Sequence, residues 1–153
     1  MPSTSPMPAS PGSARILIVD EDKGAMKSLE LAMRKEGYLV TARQSGSNAL
    51  SLLEKEPFDV VLCELRMEKV DGLQILRRCR ENHADTEVVL VSSQLTLESA
   101  VAAMRQGAFY CLGKPFQAED IVRTVGDAVE KVRLKQANRR LIKQARNHLE
   151  KVP

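Results

Sequence analysis

The chain has 153 residues, a formal charge of +3, 43% hydrophobic residues and 28% charged residues. This composition suits one globular domain with a hydrophobic core, and so small a net charge does not by itself predict nucleic-acid binding. Aromatic residues make up 3% of the chain and Trp is absent, which excludes a platform of aromatic rings for stacking bases. No apolar run approaches the length of a membrane span, so no membrane partner is expected.

The cysteines and the N-terminal residues indicate where in the cell the protein is located. Cys63, Cys79 and Cys111 lie in apolar or helical surroundings without the spacing of metal ligands. Their odd number predicts reduced thiols and a cytoplasmic location. Residues 1–14 are rich in Pro and Ser and lack the apolar segment of a targeting signal, so they predict a disordered tail.

From Arg15 onwards, short apolar runs alternate with segments of helical periodicity. The runs predict strands at residues 15–19, 38–42, 60–63, 88–91 and 109–112. The helical segments begin near residues 22, 45, 71, 96 and 118. This alternation predicts an α/β fold in which a five-stranded, parallel, doubly wound sheet carries helices on both faces.

Acidic side chains follow two of the predicted strands. The first strand ends in Asp20, Glu21 and Asp22, and the third ends in Glu64. The carboxyl ends of parallel strands share one edge of the sheet, where open α/β sheets place ligand sites. Clustered carboxylates repel one another, so this edge predicts a site for a hard divalent cation.

A hydroxyl and a lysine complete the same edge. Ser92 follows the fourth strand and could donate a hydrogen bond to a phosphoryl oxygen, while Lys114 follows the fifth and could pair with it as a point charge. Together with a metal, these groups suit the binding of a phosphoryl group, and Glu64 stands where a nucleophile is needed. Each residue alone is as readily a solvated strand-end side chain, but the joint pattern is more specific.

The sequence resembles the receiver domain of bacterial two-component response regulators over residues 15–130. The resemblance is carried by residues 16–22, 65–67, 71–72, 106–109 and 114–116. It implies a flavodoxin-like receiver fold and a cis Lys114–Pro115 bond. It also implies a histidine kinase or another signalling protein as partner.

The resemblance assigns roles to individual residues. The implied Mg²⁺ ligands are Asp20, Glu21, Glu64 and the backbone carbonyl of Arg66. Glu64 also holds the phosphoacceptor position. Ser92 matches the switch hydroxyl, Lys114 the invariant lysine and Cys111 the switch aromatic.

Three positions depart from the family pattern. Glu64 replaces the phosphoacceptor Asp, Glu68 replaces a Pro, and Cys111 replaces the switch aromatic, with Tyr110 one residue earlier on the opposite face. The extra methylene of Glu64 moves its carboxylate by ~1.5 Å. A displacement of that size can slow a reaction on the order of 100-fold. The longer side chain could also reach Lys114 directly. Mg²⁺ binding at this edge is expected to be weak or absent.

Helical sequence continues beyond the usual end of a receiver, near Val132. Residues 133–153 are therefore interpreted as an extension of the receiver domain at residues 15–132. A heptad seam is formed by Leu134, Asn138, Leu141, Ala145 and His148, and its spacing predicts a parallel homodimer. An exposed linker helix is the alternative.

In receivers of the enhancer-binding activator type, such a helix leads to an output domain. Nucleic acid is expected to bind only through such a domain, and the basic run at residues 133–146 is interpreted as a solvated face.

Three functions remain open from the sequence. The first is a signalling module, not an enzyme, in which Glu64 impairs phosphoryl transfer and the chain acts by dimerisation or partner binding. The second is a working receiver that accepts a phosphoryl group from a histidine kinase with Mg²⁺. The third is a metal-dependent phosphohydrolase with Asp20 as nucleophile, which the Lys114–Pro115 turn disfavours.

Overall fold

The computed structural model describes residues 13–151; most of the predicted tail, residues 1–12, lies outside them, as do residues 152–153. The strands are β1 (Arg15–Val19), β2 (Leu39–Arg43), β3 (Val60–Glu64), β4 (Glu87–Ser92) and β5 (Tyr110–Gly113). The helices are α1 (Lys23–Lys35), α2 (Gly46–Lys55), α3 (Gly72–Asn82), α4 (Leu97–Arg105) and α5 (Ala118–Glu150). Strands and helices alternate strictly along the chain, as predicted.

The strands form one parallel sheet in the order β2-β1-β3-β4-β5. β3 and β4 are buried along their whole length, because helices cover both faces of the sheet. The chain turns in opposite directions from β1, to β2 on one side and to β3 on the other. Such a switch point places the carboxyl ends of β1 and β3 beside the ligand crevice of the fold. The predicted five-stranded, doubly wound sheet is confirmed.

Two apolar layers hold the sheet in place. The layer under α1 and α5 includes Ile16, Ile18, Leu29, Met33, Leu62, Val125 and Val129. The layer under α2 and α3 includes Leu17, Val19, Leu53, Val61, Ile75, Leu76 and Leu90. Alternate residues of each strand supply the two layers. Burial of each large side chain stabilises the fold by roughly 1.5–3 kcal/mol, and the packed layers fix the strand ends that carry the polar residues.

Helix termini lie where the sequence supplies capping residues. A side-chain oxygen accepts a hydrogen bond from the backbone N–H three residues later at Asp22, Ser45, Asp71 and Thr96. Gly37 follows α1 with φ of +90°, as expected of a residue just past a helix. β2 begins at Leu39 and not at Tyr38, because the Tyr38 N–H still bonds to the Met33 carbonyl. Ala14, placed in the tail by the sequence, is buried and accepts a hydrogen bond from the Leu39 N–H.

Helix α5 runs without a break through the predicted boundary at Val132 and ends at Glu150. Up to Val132 its inner face belongs to the core. Beyond it, Leu134 and Leu141 are 62% and 63% exposed. The extended C-terminal helix is therefore present. Among residues 13–151, no helix has both the length and the apolar character needed to cross a lipid bilayer.

Candidate functional site

The side chain of Lys114 lies at the carboxyl edge of the sheet and contacts two acids. Its Nζ is 2.7 Å from Oδ2 of Asp20 and 2.8 Å from Oε1 of Glu64. Asp20 follows β1, Glu64 ends β3 and Lys114 follows β5, so three strands converge here. The acid side chains are 3% and 10% exposed, which strengthens their attraction to the ammonium. Lys114 therefore places one positive charge between the two acids, at the edge where the sequence predicts a divalent cation.

The second carboxylate oxygen of Glu64 is also engaged. Oε2 accepts a hydrogen bond of 3.1 Å from the backbone N–H of Arg66. The start of α3 lies against the end of β3, where a Cβ added to Gly72 would be only 2.7 Å from the Glu64 carbonyl oxygen. The Gly72 N–H donates to the carbonyl of Leu65 at 2.9 Å. Close packing and hydrogen bonds thus fix both the backbone and the carboxylate of Glu64.

The run Asp20, Glu21 and Asp22 does not converge on one point. Oδ1 of Asp20 accepts a hydrogen bond from the Asp22 N–H at 2.9 Å, and the Asp22 side chain caps α1. Oε2 of Glu21 accepts a hydrogen bond from the Glu68 N–H at 2.9 Å. A Pro at position 68 would have no N–H to donate. The departure from the family pattern at Glu68 is therefore what allows Glu21 to bind the loop after β3.

The acids have suitable chemistry for Mg²⁺, which prefers carboxylate oxygens. However, in the chain from residue 13 to residue 151 no three Asp, Glu, His or Cys side chains are grouped as metal ligands. The four carboxylate oxygens of Asp20 and Glu64 already accept hydrogen bonds from Lys114 or from backbone N–H groups. The ligand set of Asp20, Glu21, Glu64 and Arg66 stays a prediction. In this structure Lys114 contacts two of the acids, and Glu21 accepts a hydrogen bond from the Glu68 N–H.

Two pKa shifts follow from this arrangement. Burial by itself lowers the pKa of Lys114, but hydrogen bonds and attraction from Asp20 and Glu64 outweigh it, so the pKa is raised overall. Lys114 is therefore charged at neutral pH. Burial, and then the nearby charge of Glu64, raise the pKa of the Cys63 thiol well above its ordinary range. Cys63 is a neutral, fully buried thiol that donates to the Glu64 carbonyl, which suits a structural role.

Of the predicted switch residues Ser92, Lys114 and Cys111, Lys114 contacts the carboxylate of Glu64. The Ser92 side chain is buried, and its Oγ accepts a hydrogen bond from the Gln94 N–H at 3.1 Å. Its carbonyl accepts one from the Lys114 N–H, which ties the end of β4 to the end of β5. Among the described residues, the Ser92 hydroxyl makes no hydrogen bond to Glu64.

Cys111 and Tyr110 face opposite sides of the sheet, as strand alternation predicts. Cys111 packs against the layer under α2 and α3. Tyr110 lines a groove beside α5 with Asp120 and Thr124, and its side chain is half exposed. The position of the family's switch aromatic therefore carries a small thiol. Tyr110 cannot take its place, because its side chain lies on the other face of the sheet.

The comparison with known proteins agrees with this architecture. The family model described as the response regulator receiver domain matches residues 16–126. The chain belongs to the receiver-domain family. Receiver domains are signalling modules of two-component response regulators, and the fold, the cis Lys114–Pro115 bond and the acid–lysine site are all found in this member.

Curated relatives are transcriptional regulators. The transcriptional regulatory protein GlrR of Escherichia coli is 34% identical over 117 residues, covering 76% of this chain and 26% of GlrR. The DNA-binding transcriptional regulator NtrC of Klebsiella pneumoniae is 35% identical over 112 residues, covering 73% of this chain and 24% of NtrC. The chain spans about a quarter of the length of these relatives.

Solved structures show the same fold. A receiver domain protein from Clostridium thermocellum superposes with a TM-score of 0.75 at 26% identity, covering 79% of this chain and 98% of that chain. The beryllofluoride-activated NtrC4 receiver domain dimer gives a TM-score of 0.73 at 27% identity, covering 77% and 98%. NtrX from Brucella abortus, in complex with ADP, gives a TM-score of 0.79 at 25% identity, covering 92% of this chain and 34% of that chain.

Proposed function

We propose that this chain is a pseudo-receiver, a receiver-like signalling module in which Glu64 impairs phosphoryl transfer. The observation that carries the proposal is the contact between Glu64 and Lys114, at 2.8 Å. In the family pattern, Lys114 matches the lysine that pairs with the phosphoryl group. Here a permanent carboxylate already holds its ammonium, so the charge contact that phosphorylation would make is present in the unmodified chain.

The position of Glu64 also opposes its use as a nucleophile. Its carboxylate is displaced by ~1.5 Å relative to a shorter Asp side chain, and its two oxygens accept hydrogen bonds from Lys114 and Arg66. Attack on phosphorus requires an oxygen aligned with the donor, and a displacement of this size costs on the order of 100-fold in rate. Phosphoryl transfer to Glu64 is therefore slow.

The switch residues support a single conformation. A receiver toggles when the phosphoryl group draws the switch hydroxyl inwards and an aromatic side chain follows, so two populations exchange. In this chain Ser92 binds the loop that follows it, and Cys111 is too small to act as the follower. A permanent charge at Glu64 and a small residue at the follower position both remove the means of switching.

Signalling then depends on what the domain binds. Helix α5 presents exposed Leu134, Asn138 and Leu141, which are spaced as the centre of a parallel two-stranded coiled coil. Ile142 and Leu149, next to this seam, are 48% and 70% exposed, so a second copy of the helix would cover them too. The NtrC4 receiver, similar in fold, is described as a dimer.

The proposed partners are a second copy of the chain and a histidine kinase or other cytoplasmic signalling protein. Any contact with nucleic acid is assigned to an output domain.

A working receiver is the second candidate, since Asp20, Ser92 and Lys114 are all retained at the strand ends. In that case Mg²⁺ would displace Lys114 from Asp20, and Glu64 would accept a phosphoryl group from a histidine kinase. This candidate needs the ion pairs of Lys114 to open, whereas the pseudo-receiver does not.

A phosphodonor assay distinguishes the two candidates. The wild type, Glu64→Asp and the double variant Glu64→Asp with Asp20→Asn would be incubated with acetyl phosphate and Mg²⁺ and analysed by intact mass. The pseudo-receiver predicts an unmodified wild type, a labile acyl phosphate on Glu64→Asp and none on the double variant. Rapid, stoichiometric labelling of the wild type at Glu64 would instead establish the working receiver.

A further inference from the structure

Glu87 is a buried acid at the opposite end of the sheet from the candidate site. It begins β4, and its side chain has no exposed surface. One carboxylate oxygen, Oε1, has no hydrogen-bond partner among the described residues. A buried carboxylate is costly unless cations and donors compensate its charge. Removing the cations that pair with Glu87 should therefore cost stability.

The compensating charges come from α5, on both sides of Val132. Nζ of Lys135 is 2.8 Å from Oε2 of Glu87, and Nζ of Lys131 is 3.5 Å from the same oxygen. Lys131 lies within the receiver domain, whereas Lys135 belongs to the extension. A buried acid of the domain is therefore paired with a cation that lies beyond the usual end of a receiver.

A second ion pair continues the same contact. Arg139 forms a bidentate pair with Asp85, in the loop between α3 and β4. Hydrogen bonding to Arg139 lowers the pKa of Asp85 below its ordinary value, so Asp85 is charged at neutral pH. The side chain of Asp85 is 35% exposed, so this pair is partly screened by water, unlike that of Glu87.

The three cations lie on one stripe of the helix. Lys131, Lys135 and Arg139 are spaced by four residues, which places them one above the other on successive turns. At 3.6 residues per turn, this stripe is about a quarter turn away from the seam that contains Leu134 and Leu141. The helix can therefore be held against its own domain while the seam stays open to a second copy.

We propose that Asp85 and Glu87 form a clamp that holds residues 133–139 of α5 and fixes the direction in which the helix leaves the receiver. The clamp consists of the ion pairs of Asp85 and Glu87 with Lys131, Lys135 and Arg139. One consequence rests on the proposed helix-mediated dimer. If two chains associate through α5, the clamp fixes the orientation of one receiver relative to the other. The clamp itself is a contact within one chain.

Hydrogen exchange of the full chain tests the clamp. Glu87→Gln keeps the shape of the side chain and removes its charge, and Asp85→Arg reverses the charge of the outer pair. Glu81→Gln is the matched control, because Glu81 is an exposed acid in α3 without an ion pair among the described residues. The double variant Asp85→Arg with Arg139→Asp restores an opposite-charge pair at the outer position.

The clamp predicts that Glu87→Gln and Asp85→Arg lower the protection of amides 133–140 by about tenfold, since each removes a charged contact. Amides of β3 should keep their protection, Glu81→Gln should behave as the wild type, and the swapped pair should recover protection relative to Asp85→Arg. If Glu87→Gln does not fold, the exposed outer pair and its swap decide the question alone.

Other outcomes overturn the proposal. Unchanged protection of amides 133–140, equal losses in the helix and in β3, or no recovery in the swapped pair would each show that the ion pairs do not hold the helix. Sedimentation of the same proteins reports on the dimer separately. A monomer with protected amides 133–140 would keep the clamp and reject the helix-mediated dimer.

Discussion

The Nζ atom of Lys114 and the Oε1 atom of Glu64 lie 2.8 Å apart and join the ends of β5 and β3. Asp20 lies on the other side of the same ammonium, at 2.7 Å. The site is thus an ion-paired triad in which one ammonium is shared by two carboxylates, which leaves a net charge of −1. Lys114 is therefore the residue on which the predictions for stability, pH dependence and metal binding are based.

Removing the lysine charge should destabilise the domain. Lys114→Met leaves Asp20 and Glu64 largely buried without their shared cation, so the free energy of unfolding should fall by about 3 kcal/mol. Glu64→Gln should cost less, because Lys114 keeps Asp20 as its partner. Urea denaturation in the absence of Mg²⁺ measures both variants. Equal stability of Lys114→Met and the wild type would show that the ion pairs contribute nothing to folding.

The contribution of Lys114 should disappear at alkaline pH. The pKa of Lys114 is raised in the folded state, so its stabilisation is fully present below the unfolded pKa and is lost as pH rises through the folded pKa. The stability difference between the wild type and Lys114→Met should therefore be constant from neutral pH to about 10 and narrow above it. Chemical denaturation across this range measures the difference. A difference that changes between pH 6 and 8 would implicate another group.

Mg²⁺ should bind weakly to the wild type and more tightly once the lysine is removed. A divalent ion competes with the Lys114 ammonium for Asp20 and Glu64, so Lys114→Met should raise the apparent affinity by about tenfold. Asp20→Asn should abolish binding in either background. Chemical-shift titration with MgCl₂ measures the affinities, with Arg123→Gln, whose side chain pairs with Asp120 and not with Asp20 or Glu64, as the control. Tight binding to the wild type that survives Asp20→Asn would place the metal elsewhere.

The sequence predicted the sheet and its polar edge because both depend on local pattern. Apolar runs of strand length and capping residues such as Asp71 mark the elements, and parallel strands bring Asp20, Glu64 and Lys114 to one edge. The turning away of Glu21 was not predictable, because it depends on the backbone N–H of Glu68, in a loop distant in sequence.

The burial of Glu87 was also invisible in the sequence. An acid at the start of an apolar run is ordinarily an exposed strand-end residue. Its environment is set by α5, which passes the amino end of the sheet almost fifty residues later and brings Lys131 and Lys135 to it. Periodicity along one segment predicts which face of that segment is buried, but it does not predict which distant segment supplies the partner.

The last prediction concerns where the chain can be shortened without loss of the fold. Truncation after Val132 removes Lys135 and leaves Glu87 with Lys131 alone, at 3.5 Å. This form should lose about 2 kcal/mol of stability as a buried charge loses a partner. Truncation after Arg140 keeps Lys135 and Arg139 and should be as stable as the full chain. Thermal or urea denaturation of the two forms measures the difference.

The same truncations test the dimer. The form that ends at Arg140 lacks Leu141, Ala145 and His148, three of the five seam residues, so it should sediment as a monomer while the full chain sediments as a dimer. Asn138→Leu in the full chain should keep association but broaden its stoichiometry, because a polar residue at such a position specifies register at a cost in stability. Beryllofluoride, which mimics a bound phosphoryl group, should change none of these results. A dimer that persists in the form ending at Arg140, or that forms only with beryllofluoride, would show that association depends on the receiver surface and its phosphorylation and not on α5.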